Sequence, residues 1–349
     1  MQSPFREPRF IDPVADPAWG EFVARSPAAT AFHHPAWLGL LQEQYGYEMR
    51  ACCIDGPDGV EAGIPIARIS SRLTGRRLVA LPFSDSCPPI LAAGTDDSAL
   101  EALALGLAEE SRRSGLELTV RGSLPHAPAG FVRERFVSHE LELSADPAEV
   151  EAGMSKKQVQ ATRKAKRDGL SGERRTDVEA LDAFYSLHLK TRRRLGVPTQ
   201  PRRFIRRFAE LFDQGLGFVW MISEAEQPIA AAVFLTCNGT VTYKYSASDF
   251  ASLKKRPNNL LLLEAIRWSC EAGFRVFDFG RTEVENEGLR AFKRSWGAEE
   301  LDLDYTSLAD REPEPASESL RERLMSTTIQ RSPALVGRLA GEAFYRHYG

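Results

Sequence analysis

The sequence predicts an α/β (α+β) protein built from two tandem units, each a mixed, largely antiparallel sheet flanked by helices. Three observations lead to this prediction. The order hairpin, strand, helix, strand occurs twice, about 160–170 residues apart. The length of 349 residues exceeds the ~250–300 residues at which a single core stops growing. The composition, 43% hydrophobic and 27% charged, is that of a globular chain.

The first unit is expected over residues 1–150, after an irregular start rich in proline. Apolar runs on either side of the turn DGPDG indicate a hairpin. Apolar residues at helical spacing, closed by Gly115, indicate the long helix that follows. The predicted elements are a helix over 35–45, hairpin strands over 49–54 and 60–70, a strand over 77–81, a helix over 97–114 and a strand over 116–121.

The second unit, expected over residues 151–310, repeats this order. A hairpin is again followed by a third strand, a helix that Gly273 closes and a further strand. Residues 311–349 are interpreted as a linker, REPEPASES, and a C-terminal packing helix from residue 333. A cleft between the two units is the natural place for a site. The predicted elements are strands over 218–223, 229–237 and 241–246, a helix over 258–272 and a strand over 275–279.

A strongly basic region opens the second unit. Residues 154–207 contain sixteen Lys or Arg against five Asp or Glu, although the net charge of the whole chain is -3. Ser155 and Gln158 have the spacing of a capping box at the start of a helix. A field of this sign attracts phosphate groups or an anionic polymer. The alternative interpretation is a solvated face paired with acidic neighbours. Helices are predicted over 155–169, 181–195 and 202–212.

Cysteine usage and hydropathy indicate the compartment. The five cysteines lack the spacing of a metal site, which favours reduced thiols in a cytosolic protein. The first residues, MQSPFREPRFIDP, lack the apolar core of a signal peptide, and the apolar runs are far too short to span a bilayer. We therefore expect a cytoplasmic protein without a transmembrane segment, metal ion or permanently bound cofactor.

Polar side chains lie where strands end and helices begin, which is where α/β proteins hold ligands. Tyr243 and Tyr245 are expected on one face of a strand, with the intervening lysine on the other face. Asp278 and Arg281 follow the next strand, and Lys293 lies on the helix after it. These five residues are the candidates at the strand ends of the second unit.

The loop PFSDSCPP of the first unit supplies a further candidate, Asp85. Cys87 in the same loop is interpreted as a structural thiol rather than a nucleophile. His33 and His34, which precede Pro35, are interpreted as a polar helix start.

Six motifs, taken in their order, resemble a known family. They are HHPAW (33–37), GIPIARISS (63–71), LPFSDSCPP (81–89), MSKKQVQATRKAKRDG (154–169), FDFGRT (277–282) and FKRSWGA (292–298). Together they resemble the FemAB-like proteins, a branch of the GNAT N-acyltransferase superfamily that includes the BioF-type acetyltransferase-like group. The resemblance implies two tandem GNAT-like domains that form amide bonds, with the acceptor site in the second domain and the cleft between the domains.

Amide formation from an activated ester needs a neutral amine, stabilisation of the oxyanion and a proton for the leaving group. Lys293 matches the lysine that the family places at its site, where a cation stabilises the oxyanion or holds a phosphate. Arg281 is expected to clamp a phosphate or carboxylate. Tyr243 or Tyr245 would orient or protonate the leaving group, and Asp85 or Asp278 would bind the acceptor amine or act as its base.

The donor is left open by the sequence. The loop [R/Q]xxGx[G/A], through which many GNAT enzymes bind CoA, is missing, so the basic helix with Lys156, Lys157, Arg163 and Arg167 would supply the phosphate contacts. The first hypothesis is an N-acyltransferase that uses acyl-CoA or another thioester to acylate an amine of a cell-envelope or polysaccharide precursor. The second is an aminoacyl-tRNA-dependent peptidyltransferase that acts on a peptidoglycan precursor. The third is a non-catalytic binder of an anionic polymer.

Overall fold

The structure, a computed structural model, describes residues 6–128, 130–309, 329–330 and 334–347. The linker predicted over 311–319 lies outside the described residues. The strands, in chain order, are β1 (Pro8–Ile11), β2 (Glu48–Gly56), β3 (Gly59–Ser71), β4 (Gly75–Ala80), β5 (Ile90–Leu91), β6 (Leu118–Val120), β7 (Gly130–Glu142), β8 (Leu170–Arg175), β9 (Gly217–Glu224), β10 (Gln227–Cys237), β11 (Thr240–Ser248), β12 (Val276–Asp278), β13 (Thr282–Glu283) and β14 (Glu299–Leu308).

Helices cover both faces of the sheet that these strands form. They are α1 (Pro17–Arg25), α2 (Pro35–Tyr45), α3 (Asp97–Ser114), α4 (Pro147–Ala152), α5 (Lys156–Arg167), α6 (Val178–Leu195), α7 (Arg202–Arg206), α8 (Phe208–Phe212), α9 (Pro257–Glu271), α10 (Glu287–Arg294) and α11 (Ala334–Phe344). Short 3-10 turns follow β11 at Phe250–Lys255 and α11 at Tyr345–His347.

All the described strands belong to one mixed sheet, in which the two units exchange their last strands. The order is β1-β2-β3-β4-β6-β14-β7-β12-β11-β10-β9-β8, with β5 beside β3 and β13 beside β7. The last strand of the first unit, β7, pairs with β12, and the last strand of the second unit, β14, pairs with β6. The two exchanged strands also pair with each other, antiparallel, at the centre. The two units are therefore joined through the sheet itself.

The sheet buries both of its faces. On one face, α1 and α2 of the first unit and α6, α7 and α8 of the second share a single apolar core that includes Trp37, Phe184 and Phe208. On the other face each unit has its own core, formed against α3 in the first unit and against α5 and α9 in the second. The shared core fixes the two units relative to each other, so the loops between them are held in place.

Most of the predicted elements are present with small changes at their ends. The helices predicted over 35–45 and 97–114 are confirmed as α2 and α3, and Gly115 ends α3 with φ of 63°, a left-handed conformation that glycine adopts without steric cost. The single helix predicted over 202–212 is wrong, because α7 and α8 are separate helices that meet at Arg207.

The irregular start predicted for the first unit is also wrong. Residues 8–11 form the edge strand β1, which pairs with β2. Residues 17–25 form α1, where the Asp16 side chain accepts a hydrogen bond from the Ala18 amide and Pro17 takes the first helical position. Trp19 and Phe22 of this helix are fully buried, so packing stabilises a segment that its prolines made look irregular.

Candidate active site

The candidate active site is a cavity of about 410 Å³ where the loop after β4 meets β11, α9, β12 and α10. The first unit contributes one residue, Asp85, and the second unit contributes the rest. Among the candidates from the sequence, the cavity is lined by Asp85, Tyr243, Tyr245, Arg281 and Lys293. Residues that the sequence analysis did not propose also line it, namely Lys244, Ser246, Asn258, Leu262, Phe279, Gly280, Leu289 and Phe292.

A β-bulge in β11 places three successive side chains at this cavity. Val233 of β10 pairs with Tyr245 and Phe234 pairs with Tyr243, which leaves Lys244 as the extra residue. Tyr245 consequently packs on the core shared by both units, whereas Tyr243 packs on the core beside α9. The prediction that the two tyrosines share one face of the strand is therefore wrong, because the extra residue reverses the alternation.

Lys293 is held with its ammonium group in a nearly closed environment. The residue is only 4% exposed, and its Nζ donates to the carbonyl oxygens of Gly280 at 2.7 Å and Arg281 at 3.1 Å. Burial lowers the pKa of Lys293 to about 8, and the charges of Asp278 and Asp85 oppose this shift. Because an ammonium group has three donors, one N–H is left to point toward a ligand.

Asp278 lies directly behind the cavity at the end of β12. Its Oδ1 accepts a hydrogen bond of 2.7 Å from the Gly280 amide. Burial raises the pKa of Asp278 to about 7, and the negative charges of Asp85 and Glu140 add to this effect. The carboxyl group does not line the cavity, so its effect on the site passes through Lys293 and the Gly280 turn.

Asp85 and Lys244 form an ion pair between the two units. Lys244 Nζ lies 3.6 Å from Asp85 Oδ2, and the lysine side chain is only 4% exposed. The ammonium also lies over the ring of Phe32, 4.9 Å from its centroid, and burial lowers the pKa of Lys244. Gly280 allows Asp85 to approach this closely, because a Cβ at that position would lie 3.0 Å from Asp85 Oδ2.

Arg281 is fixed by aromatic side chains of the exchanged strands. Its guanidinium carbon lies 4.1 Å from the centroid of the Phe136 ring of β7, and its NH1 donates to the Tyr305 hydroxyl of β14 at 3.0 Å. The Tyr305 hydroxyl donates in turn to the Asp85 carbonyl oxygen at 2.6 Å. Arg281 also forms a loose ion pair with Glu283, at 3.8 Å. The guanidinium thus retains donors for an anionic group.

The two tyrosines are neutral phenols at physiological pH. Burial raises the pKa of Tyr243 to about 12 and raises that of Tyr245 well above its usual value. A buried phenol of this kind donates a hydrogen bond and does not act as a base near pH 7.

The basic helix α5 lies outside the cavity. Four of its six cations, Lys156, Lys157, Arg163 and Arg167, hereafter the α5 cations, are exposed and form no ion pair within the described part of the chain. Arg163 borders a separate recess of about 140 Å³ beside α9. The helix is fixed through Gln158, whose side chain contacts Asn259 and donates to Ser295 Oγ at 2.6 Å. The predicted N-cap is confirmed, because the Ser155 side chain accepts from the Gln158 amide.

Other cations of the basic region are engaged by acidic neighbours, as the alternative interpretation expected. Arg202 and Arg206 pair with Asp182, and Lys190 pairs with Asp249. The excess of positive charge that is left for a ligand is therefore smaller than the composition indicates, and α5 carries part of it.

His34 is the N-cap of α2 and its ring accepts from the Ala36 amide, as a polar helix start requires, whereas His33 and Cys87 are buried in contact with each other. His33 is fully buried, its Nε2 lies 2.9 Å from the Pro88 carbonyl oxygen, and burial lowers its pKa to about 4. Cys87 is buried, and burial raises the pKa of its thiol. Among the described residues, no group of three His, Cys, Asp or Glu side chains is arranged to hold a metal ion. No described helix has the length and apolar character needed to cross a membrane.

A comparison with protein families matches part of the chain. Residues 155–294 match the acetyltransferase (GNAT) domain family. This range contains Tyr243, Tyr245, Asp278, Arg281 and Lys293, and it begins at the N-cap of α5. The predicted acyltransferase class is thereby confirmed. A comparison with curated protein sequences found no match.

Solved structures confirm the fold that the sequence predicted. FemX is 14% identical, covers 85% of this chain and 96% of its own, and has a TM-score of 0.66. L-PGS from Bacillus licheniformis is 15% identical, with coverages of 95% and 98% and a TM-score of 0.58. The C-terminal domain of a putative lysylphosphatidylglycerol synthetase from Agrobacterium fabrum is 12% identical, with coverages of 90% and 95% and a TM-score of 0.55. Because the sequence identities are only 12–15%, the similarity to these three structures is one of fold alone.

Proposed function

We propose that this protein is an N-acyltransferase that acylates an amine of a cell-envelope or polysaccharide precursor, starting from the match of residues 155–294 to the acetyltransferase (GNAT) domain family. The observation that carries the proposal is the cavity, which gathers an ammonium, a carboxylate, a guanidinium and a neutral phenol around one space of about 410 Å³. These are the groups that direct attack of an amine on an activated acyl carbon requires.

Asp85 is proposed to receive the acceptor amine. Its carboxylate stands at the cavity wall, and Lys244 and the Gly280 turn fix its position. An alkylammonium bound there loses one proton to the carboxylate and attacks the acyl carbon as the free amine. The amine adds to the acyl carbon, which forms the C–N bond and a tetrahedral intermediate. The intermediate then collapses as the bond to the leaving sulfur or oxygen breaks; the leaving group takes a proton from Tyr243, and the second proton of the attacking nitrogen replaces it.

Lys293 is proposed to stabilise the oxyanion of the tetrahedral intermediate. Two of its N–H groups are bound to backbone carbonyls, so the third has a fixed direction before the substrate arrives. With a pKa of about 8 the group is mostly charged at pH 7, as this role requires. Tyr243 is proposed to donate a proton to the leaving group, because its phenol remains protonated up to a pKa of about 12.

Acyl-CoA or another thioester is the proposed donor. Arg281 lines the cavity together with Asn258 of the first turn of α9, so a guanidinium and a helix N-terminus are both available to phosphate oxygens. No side chain caps the first turn of α9, where Arg256 occupies the N-cap position.

One observation favours a second candidate, an aminoacyl-tRNA donor with a peptidoglycan precursor as acceptor. The α5 cations lie outside the cavity on a helix of 12 residues, about 18 Å long. Unpaired cations spread over such a length match the phosphates of a nucleic acid better than a single diphosphate.

A pair of binding measurements distinguishes the two donors. If a thioester is the donor, acetyl-CoA or a longer acyl-CoA raises the melting temperature in proportion to the logarithm of its concentration, and product analysis shows an amide. If tRNA is the donor, charged tRNA binds with a steep dependence on salt, and acyl-CoA has no effect. Absence of an amide product with both donors would refute the proposal.

A further inference from the structure

A second recess, separate from the cavity, lies at one end of the first unit's sheet. Its volume is about 320 Å³, and it shares no lining residue with the cavity. Glu48 of β2 pairs with Arg68 of β3, and Ser70 of β3 pairs with Arg76 of β4, so these four side chains stand side by side on one face of the sheet. Arg346, from the segment after α11, completes the wall.

The recess concentrates positive charge. Three guanidinium groups line it together with one carboxylate, that of Glu48, which lies 4.0 Å from Arg68 at the limit of an ion pair. Over the described ranges of the chain, Arg76 and Arg346 form no ion pair. The lining therefore carries a formal charge of +2, and guanidinium groups that share one recess repel each other until an anion compensates them.

The wall that carries Arg346 is fastened to the first unit. The Tyr47 hydroxyl donates to the Arg346 carbonyl oxygen at 2.8 Å. At the next residue, the ring Nδ1 of His347 lies 2.9 Å from Ser71 Oγ, and its carbonyl oxygen accepts from the Thr74 hydroxyl at 3.0 Å. The position of Arg346 beside the sheet is thus set by the protein before any ligand binds, which lowers the entropic cost of binding.

We propose that this recess, hereafter the arginine recess, is a binding site for a phosphate-bearing small molecule. Arg68, Arg76 and Arg346 approach it from two strands and the C-terminal segment, and a phosphate offers oxygens in several directions whereas a carboxylate offers two in one plane. A phosphate also carries a charge close to −2 at pH 7, which matches the charge of the lining. The Ser70 hydroxyl adds a neutral hydrogen-bonding group.

Binding at this site is expected to stabilise the whole molecule. The helix α11 that precedes Arg346 packs on α6 of the second unit, and the Thr199 amide donates to the Gly337 carbonyl oxygen at 3.2 Å. A ligand that bridges Arg346 and the sheet of the first unit therefore ties the C-terminal segment to both units, and it raises the melting temperature.

The test is a calorimetric titration of the full chain with inorganic pyrophosphate, with citrate as a carboxylate of comparable charge. We expect saturable binding at one site, weakened about tenfold or more by Arg76→Ala. Glu48→Gln removes the opposing carboxylate and should strengthen binding several-fold, a gain that damage to the fold does not produce. Arg203→Ala is the matched control, an exposed arginine of the second unit, and it should leave the affinity unchanged.

Three results would overturn the proposal. The first is an absence of saturable binding at millimolar pyrophosphate. The second is binding that responds to Lys293→Met and not to Arg76→Ala, which would place the anion in the cavity. The third is citrate binding as tight as that of pyrophosphate, or equal losses in Arg76→Ala and Arg203→Ala, which would show a general charge effect.

Discussion

Replacing Lys293 by methionine separates the proposed role of its ammonium group from its contribution to folding. Methionine keeps most of the length of the side chain and removes the donor to the oxyanion. Loss of one preorganised donor costs about 10²–10³ in kcat in enzymes of this type. We expect a loss of that size in Lys293→Met, with the secondary structure unchanged.

The stability of this variant follows from the pKa of Lys293. Burial lowers that pKa from 10.5 to about 8, so keeping the charge in the folded protein costs about 3 kcal/mol at pH 7. Methionine removes this cost but also removes the hydrogen bonds to the Gly280 and Arg281 carbonyls, each worth about 1.5–3 kcal/mol for a charged donor. The opposing effects are of similar size, so the variant is expected to fold with nearly unchanged stability.

The pH dependence provides the sharper measurement. Between pH 8 and 10.5 the unfolded protein binds more protons at Lys293 than the folded protein does, so this group makes the unfolding free energy rise with pH. Denaturant titrations should show a rise of up to about 3 kcal/mol in the wild type, relative to Lys293→Met, over this range. Activity should fall above pH 8 in the wild type, as the ammonium loses its proton.

The control is Arg294→Met, which removes an exposed cation from the next position of α10 and should leave kcat nearly unchanged. If Lys293→Met retained wild-type turnover, or if its residual activity still fell near pH 8, the assigned role would be wrong.

Three further predictions concern the neighbouring groups. Asp85→Asn should raise the KM for the amine about tenfold or more, with little change in acyl-CoA affinity, and Lys244→Met should also raise this KM. In a double-mutant cycle the combined effect should be smaller than the sum of the two single effects; additive effects would show that the pair does not act as a unit. The pKa of Asp278 is raised to about 7 in the folded protein, so between about pH 4 and 7 the folded protein binds more protons at this group than the unfolded protein does. The unfolding free energy therefore falls as the pH rises through this range. Asp278→Asn should remove this fall in denaturant titrations, and a fall that persists would show that Asp278 is not the group responsible. Changing the α5 cations to glutamine should weaken the binding of charged tRNA and reduce the dependence of its affinity on salt concentration, whereas acyl-CoA binding should not change. Loss of acyl-CoA binding would place the donor phosphates on α5.

Local signals in the sequence were sufficient for most elements and for the selection of a candidate site along the chain. Hairpins, caps and helical spacing act over a few residues, so α2, α3 and the N-cap of α5 were predicted almost to the residue. The segment from β11 to α10 was identified because polar residues follow its strands. The exchange of β7 and β14 between the units was missed, because pairing between strands so far apart in the chain leaves no local pattern.

Side-chain placement was the least predictable part of the site. Lys244 was expected to point away from the tyrosines, and only the bulge in β11 brings all three to one cavity. The α5 cations were expected to supply phosphate contacts for the donor, yet the packing of α5 against α9 keeps them outside the cavity.

The sequence by itself predicted two tandem α/β units. It also identified candidates for the chemistry, namely Asp85, Tyr243, Arg281 and Lys293. Both results rest on turn chemistry, periodicity and motif spacing, which can be read along the chain. Only the tertiary structure decided that Asp85 of one unit meets Lys244 and Lys293 of the other, and that burial moves the pKa values of Lys293 and Asp278 toward neutrality. Desolvation and pairing between distant segments depend on packing, and the order of residues along the chain does not reveal them.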